Sequence, residues 1–378
     1  VRVAYVHTGT WPSPSPSTTF VTYNAAALAE VCGGCTLYVR SGGGFPPARV
    51  LREGFGMEMP GGLRVEAIRR LLGFTNRLFL GRAERLVRRE HGSRGLDAVI
   101  TRNVTFLPRL VRLRRELGVP VIFESHDFHA DISRRDDGGS ARRQRLERKW
   151  LPGVSSLVCL HSRQAKLYRD VFPGLRIDVA GTGAPEPAPR KSPGDRLAYV
   201  GSLDPHKGLG LLLRAVESSR HRPPLLVAGG KSPREVEAFR ARASRLAPNV
   251  ELEVTGWLDK PGLSRCLAGA AAGVLPLRDT FFNRNLTSPL KLFDYYAHGI
   301  PVIAADLPAL RELVDEGGTG LFFPPGDPAA LAAAIDRLWS DGALRESMSR
   351  QALLCARRRL WSRRAERLAG LVRELEAG

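Results

Sequence analysis

The sequence predicts an α/β protein of two doubly wound, Rossmann-like domains facing across a cleft, and three observations carry that prediction. Short strand-like runs alternate with helical periodicities along the whole chain, the rhythm of βαβ units around a parallel sheet covered on both faces. The stretch APEPAPRKSPGD at 184–195 breaks the rhythm with four prolines and no apolar period, so it reads as an interdomain linker. At 378 residues the chain is too long for one ordinary core and comfortable for two. Domains are expected over 1–183 and 196–360, with a last helical stretch over 361–378. Ligands of such sheets sit at the carboxyl ends of the strands, so facing strand ends would enclose a site.

Taken in order, VRVAYVHTG opens the chain as a buried strand and leads into the loop GTWPSPSPSTT at 9–19. Gly9 and Thr10 lie at a strand end, where small residues let backbone approach a ligand closely. A helix follows from about Phe20 to Val31, then the strand TLYVR. Between Leu63 and Arg89 apolar residues recur at helical spacing among arginines, which predicts a basic amphipathic helix. The strands AVITR and VPVIFES come next, and His126 in the segment ESHD is expected to project from a strand's carboxyl end. Asp127 would orient that imidazole or cap the following segment. In the second half, strands are expected near 197, 225, 250, 273, 301 and 321. Trp361 to Glu376 forms a helix with Leu368, Leu371 and Leu375 on one stripe.

Composition narrows the class. With 43% hydrophobic and 25% charged residues the chain is of ordinary globular type, and no run reaches the roughly 18 apolar residues of a membrane helix. The sequence starts directly on strand residues, from which no signal peptide is expected. Five scattered cysteines fit a reducing cytosol, and the Cys32–Cys35 pair, with no partner pair or His nearby, reads as structural. A net charge of +19 is the outlier, with 14 arginines against 4 acids between 62 and 115. Two readings stay open for the basic region: contact of 63–89 with an anionic membrane or acceptor, or simple solvation of an outer face. A cytoplasmic protein is expected, peripheral at the inner membrane face on the first reading. No nucleic-acid motif accompanies the charge.

The densest signal is SPLKLFDYYAHGIPVIAAD at 288–306. It sets Lys291 and Asp294 one turn apart at the front of a helix, ends that helix at Gly299, and restarts a strand after Pro301. Free N–H groups at a helix start attract phosphate, a cation on the same face adds charge-assisted hydrogen bonds, and an acid there suits sugar hydroxyls. Thr287, Ser288 and Leu290 frame that start. Some 90 residues earlier, LAYVGSLDPHKG runs a strand into Gly201 and Ser202 and presents Lys207 before the next helix.

Together these pieces resemble the C-terminal half of the family 4 glycosyltransferases, which use nucleotide sugars on the GT-B fold. LLVAGG at 225–230, the stretch from Val250 to Trp257, and PALRELVDEGGTGLFFPPGD at 308–327 with Glu312 continue the resemblance in order. It implies that Gly201, Ser202 and Lys207 face a donor pyrophosphate, that Asp294 binds the ribose, and that the base lies near Thr255 to Leu258. There Trp257 would stack on the base or merely cover the core. It implies that His126 contacts the transferred sugar, and that the terminal helix crosses back to the first domain. It further implies a retaining transfer to a glycan or lipid-linked acceptor with no cofactor. Since no Asp-x-Asp occurs in the chain, no metal is expected at the diphosphate, and Lys207 and the helix start must stabilise the leaving group. Two positions depart from the family pattern: Ser202 stands where an Arg is usual, and Leu286 where the first acid of the E-x7-E motif is usual. They support a second class, a catalytically silent relative that binds anionic polymers or membranes. A nicotinamide dehydrogenase is a third class, but its third fingerprint glycine is absent, Leu213 following Gly208 and Gly210.

Overall fold

Two parallel sheets organise the chain. The computed structural model describes residues 1–69, 76–188 and 194–377. The first sheet contains β1 (Arg2–Trp11), β2 (Gly34–Ser41), β3 (Leu63–Ile68), β4 (Ala98–Thr101), β5 (Val121–Glu124), β6 (Ser156–Cys159) and β7 (Ile177–Val179). Their order across the sheet is β3-β2-β1-β4-β5-β6-β7. The second sheet contains β8 (Arg196–Val200), β9 (Leu225–Ala228), β10 (Leu252–Gly256), β11 (Ala270–Leu275), β12 (Val302–Ala305) and β13 (Gly320–Phe323), in the order β10-β9-β8-β11-β12-β13. Every described strand pair is parallel. The central strands are accordingly buried along their length, as in Val121–Glu124 and Ala270–Leu275, because helices cover both faces. This is the doubly wound α/β class that the alternating pattern predicts.

The chain divides into two units, one of Val1–Gly183 with Trp361–Gly378 and one of Ala184–Leu360. In the first unit the terminal helix Trp361–Ala377 lies against the helix Pro16–Val31. Trp361 stacks on Tyr23 at 5.7 Å and meets the edge of Phe20 at 5.0 Å. Beneath them Arg364, buried, donates to Glu124, to Asn24 Oδ1 (3.1 Å) and to the Gly181 carbonyl (2.9 Å). Tyr5 donates to the other Glu124 oxygen. A buried ion pair survives only when the remaining polar atoms are also satisfied, which this network achieves for Glu124.

Three local expectations are revised. The first helix starts at Pro16 instead of about Phe20, because Ser15 caps it, accepting from the Thr18 N–H at 3.2 Å, and Pro16 needs no N–H partner at that place. The basic amphipathic helix over 63–89 is not formed as one element. Leu63–Ile68 is β3, paired to β2 from Cys35↔Leu63 to Arg40↔Ile68, and the helix is Asn76–Arg94. Pairing with a sheet edge outweighs a helical spacing there, and Leu71 and Phe74 of the expected apolar stripe lie outside the described residues. Of the stripe's other members, Leu78 is exposed and Leu86 half-buried, while Phe79, Leu80, Ala83 and Val87 face inward. Finally, the start of the proline-rich stretch is packed instead of free: the Ala184 N–H donates to the Arg359 carbonyl at 2.6 Å and that of Ala188 to the Ala297 carbonyl at 2.8 Å. Residues 189–193 lie outside the described residues. Among the described residues no helix is long and apolar enough to cross a membrane.

Candidate functional site

In the second unit the strand order reverses between β8 and β11, the switch point at which open α/β sheets place ligands. Gly201 ends β8 there with φ +146°, a conformation L side chains rarely adopt. A Cβ on Gly201 would stand 3.0 Å from Lys291 Nζ and 3.1 Å from the Tyr199 hydroxyl. The missing side chain is therefore what lets Lys291 reach the strand end. Its Nζ lies 4.1 Å from the centre of the Tyr199 ring, whose electron-rich face steadies an ammonium ion. The Tyr199 hydroxyl donates to the Ser202 carbonyl at 3.0 Å, fixing the loop.

Lys291 belongs to the helix Leu290–Ala297, whose cap Pro289 supplies no side-chain hydrogen bond. That leaves N–H groups at a positively polarised helix start, flanked by Thr287, Ser288 and Leu290. The helix is tied down by Tyr295, whose hydroxyl donates to the Ala198 carbonyl (3.0 Å) and accepts from the Val200 N–H (2.9 Å). Lys207 ends the short turn Pro205–Lys207, which Asp204 caps by accepting from the His206 N–H at 2.8 Å. Lys207 is exposed. Burial first, and the charge of Lys207 second, push the Lys291 ammonium down from its usual range to about 7. The two lysines are thus neighbours in charge, and among the described residues neither makes an ion pair. A pair of like charges held beside a helix start is a receptor for a polyanion.

Asp294 shares the helix with Lys291 but faces a different partner. Lys260 Nζ donates to both its oxygens, at 2.7 and 2.8 Å. The carboxylate keeps lone pairs for further hydrogen-bond donors while Lys260 holds it in place. Sequence reasoning missed Lys260. A signal existed: it is the first residue of the helix Lys260–Leu267, where a cation opposes the dipole and so points to an acid elsewhere. His298 completes the support, with Nδ1 2.8 Å from the Asp294 carbonyl and Nε2 2.7 Å from Ser264 Oγ. Trp257, after β10, is 56% exposed, so the core-covering alternative for it is excluded. Leu286 is 1% exposed and packs in the interior. Glu312 is exposed at the end of the short helix Pro308–Arg311.

In the first unit the strand order reverses between β1 and β4. His126 follows β5 and is exposed. Asp127 does not orient it. Asp127 accepts from the Phe128 N–H (2.8 Å) and from Arg135, and its second oxygen is 3.2 Å from His129 Nε2. His161 caps the helix Ser162–Val171. Gly9 and Thr10 lie within the last residues of β1, where a Cβ on Gly9 would stand 2.2 Å from His7 Nε2.

Residues 194–341 match the family model described as glycosyl transferases group 1. The chain is 29% identical over 212 residues to the D-inositol 3-phosphate glycosyltransferase of Kribbella flavida, covering 52% of this chain and 48% of that protein. It is 28% identical over 196 residues to the phosphatidyl-myo-inositol mannosyltransferase of Mycobacterium leprae, covering 50% and 49%. The chain thus spans about half the length of these curated relatives. Among solved structures, the sucrose-phosphate synthase of Thermosynechococcus elongatus superposes with a TM-score of 0.75 at 19% identity, covering 100% of this chain and 99% of that one. HepE of Anabaena in complex with UDP-glucose gives 0.72 at 16%, covering 99% of each. These two likenesses concern the fold. The match to the group 1 glycosyl transferases thus covers most of the second unit, and the two-sheet architecture over the whole length is that of the GT-B fold.

Proposed function

We propose that the chain transfers a sugar from a nucleotide-diphosphate sugar to a glycan or lipid-linked acceptor, with retention of anomeric configuration and without a metal ion. One observation carries the reading: Lys207 and Lys291, without acid partners among the described residues, sit at the switch point of the second sheet beside an uncapped helix start. A diphosphate is a ligand that returns the lost solvation of Lys291 and pairs with the exposed Lys207 at the same time. Asp294 takes the ribose hydroxyls and the exposed Trp257 stacks on the base. Gly201 and Ser202 offer backbone to the phosphates, and Gly9 and Thr10 are assigned to donor binding. His126 contacts the transferred sugar. A relative named as a glycosyltransferase agrees with sugar transfer, and a structural neighbour holding UDP-glucose agrees with a sugar-nucleotide donor.

In chemical terms, the glycosidic bond to the diphosphate lengthens, positive charge grows on the anomeric carbon, and negative charge grows on the departing phosphate. Lys207, Lys291 and the N–H groups at Leu290 and Lys291 stabilise that charge as it forms. A donor phosphate oxygen takes the proton of the incoming hydroxyl, and the new bond forms on the face the diphosphate leaves. Turnover of a panel of nucleotide sugars, with excess chelator and with product anomers read by NMR, tests this. Absence of any donor hydrolysis or transfer would overturn the activity, and strict dependence on added divalent metal would overturn the metal-free chemistry.

A further inference from the structure

The switch point of the first sheet holds a cation with no acid partner of its own among the described residues. Arg102 follows β4 directly and is 5% exposed. Its Cζ lies 3.7 Å over the Phe20 ring, its Nε is buried without a hydrogen bond, and no ion pair reaches it among the described residues. The carboxylate that attracts it is Glu124. Both oxygens of that carboxylate are already taken, Oε1 by Arg364 and Asn24, Oε2 by the Tyr5 hydroxyl. Two buried guanidinium groups thus share one carboxylate, and a positive charge is left over. An uncompensated buried charge costs several kcal/mol, which a bound anion can offset.

The surroundings suit an anion. His7, buried on β1, has its pKa lowered to about 4 by burial and then by the charges of Arg102 and Arg40, so it brings a neutral ring and no competing acid. Its Nε2 is 3.5 Å from Thr18 Oγ1. Asn103, beside Arg102, donates to Thr8 Oγ1, which joins the loop after β4 to the end of β1.

We propose that Arg102, with His7 and Thr18 beside it, forms an oxyanion site in the first unit that recognises a phosphate monoester or carboxylate carried by the acceptor. The proposal rests on the sugar transfer proposed above, adds to it that the first unit takes the acceptor, and narrows that acceptor to an anionic one. Arg102 offers a planar fork of N–H donors, the geometry that fits a phosphate or carboxylate in two places at once. The nucleotide's own phosphates are the other source of this chemistry, and for them the second unit already holds Lys207 and Lys291.

The test titrates inorganic phosphate, with chloride as control, into the whole chain labelled at the histidine Cε1 positions, with UDP saturating. Phosphate should move the His7 resonance saturably, raise the pKa of His7 and raise Tm, and chloride should do none of these. Arg102→Gln should abolish the response, and the double variant Lys207→Ala, Lys291→Met should keep it. A response that persists in Arg102→Gln, or that disappears with UDP or in the lysine double variant, overturns the assignment. Should Arg102→Gln fail to fold, the wild-type titration under UDP decides alone, since an unmoved His7 signal refutes the site. Matched acceptors add a second arm: a sugar monophosphate should exceed the neutral sugar in kcat/KM by on the order of tenfold or more, the worth of a charge-assisted hydrogen bond. Equal use of the two refutes the inference and leaves sugar transfer standing. Phosphate binding through Arg102 without any donor turnover does the reverse.

Discussion

Lys291 is the residue whose environment makes the sharpest statements. With its pKa near 7 in the folded chain and 10.5 as the reference value, the unfolded state binds more protons between those limits. Stability therefore rises with pH across that window, and Lys291→Met should flatten the slope in denaturant melts at pH 7 to 10. Diphosphate binding restores the charged form, so UDP should take up close to one proton at pH 8 and none at pH 6. Calorimetry in buffers of different ionisation enthalpy measures this, and an uptake unchanged in Lys291→Met would refute the contact. Gly201→Ala forces an L residue into φ +146° and places a methyl 3.0 Å from Lys291 Nζ. It should weaken UDP binding by on the order of tenfold to a hundredfold, charge-assisted bonds being worth about 1.5–3 kcal/mol. Lys207→Ala should lower kcat by roughly a hundredfold, the lower range for removing one group that meets developing charge.

At the scale of elements, two tethers position the sites. Tyr295 bonds two backbone groups of β8 from the helix that carries Lys291 and Asp294. Tyr295→Phe leaves the buried Ala198 carbonyl without its donor and the half-buried Val200 N–H without its acceptor, and should cost about 1–3 kcal/mol in a urea melt while raising the KM for donor. Arg364 anchors the terminal helix through Glu124, 240 positions earlier in the sequence. Removing one member of a buried pair strands the other, so Arg364→Met should destabilise the first unit by about 3–5 kcal/mol. Chemical denaturation followed by Trp361 fluorescence reads that directly, and a melt within experimental error of wild type would contradict the network. Strand positions, by contrast, were legible to within a few residues. β9, β12 and β13 fall where LLVA, VIAA and GLFF stand, because a parallel strand buried on both faces writes itself as an unbroken apolar run. β3 was not legible: LRVEAI has mixed polarity, and only pairing with β2 makes it a strand.

At the scale of the whole molecule, the charge of +19 is the property that acts beyond any one site. The arginines of Asn76–Arg94 are partly committed, Arg88 to Glu84 and Glu116 at 2.8 and 2.6 Å. Others on that helix, such as Arg82, Arg85 and Arg89, are exposed. A surface of this kind should draw the chain to anionic vesicles at low salt and release it as the Debye length shrinks below about 10 Å near 0.1 M. Vesicle co-sedimentation over a salt series checks this, and binding insensitive to salt would point to apolar insertion instead.

The sequence by itself determined the two-sheet α/β architecture and the helix that sets Lys291 one turn from Asp294, because periodicity and helix spacing are local and survive in a linear reading. Only the tertiary structure decided that Lys260 clamps Asp294, that Leu286 is interior, and that Arg102 is left over when Arg364 and Tyr5 occupy Glu124. Those are questions of which charges meet. Coulombic and hydrogen-bond partners are chosen by distance in space, and residues 34 to 240 positions apart carry no mark of one another until the chain is folded.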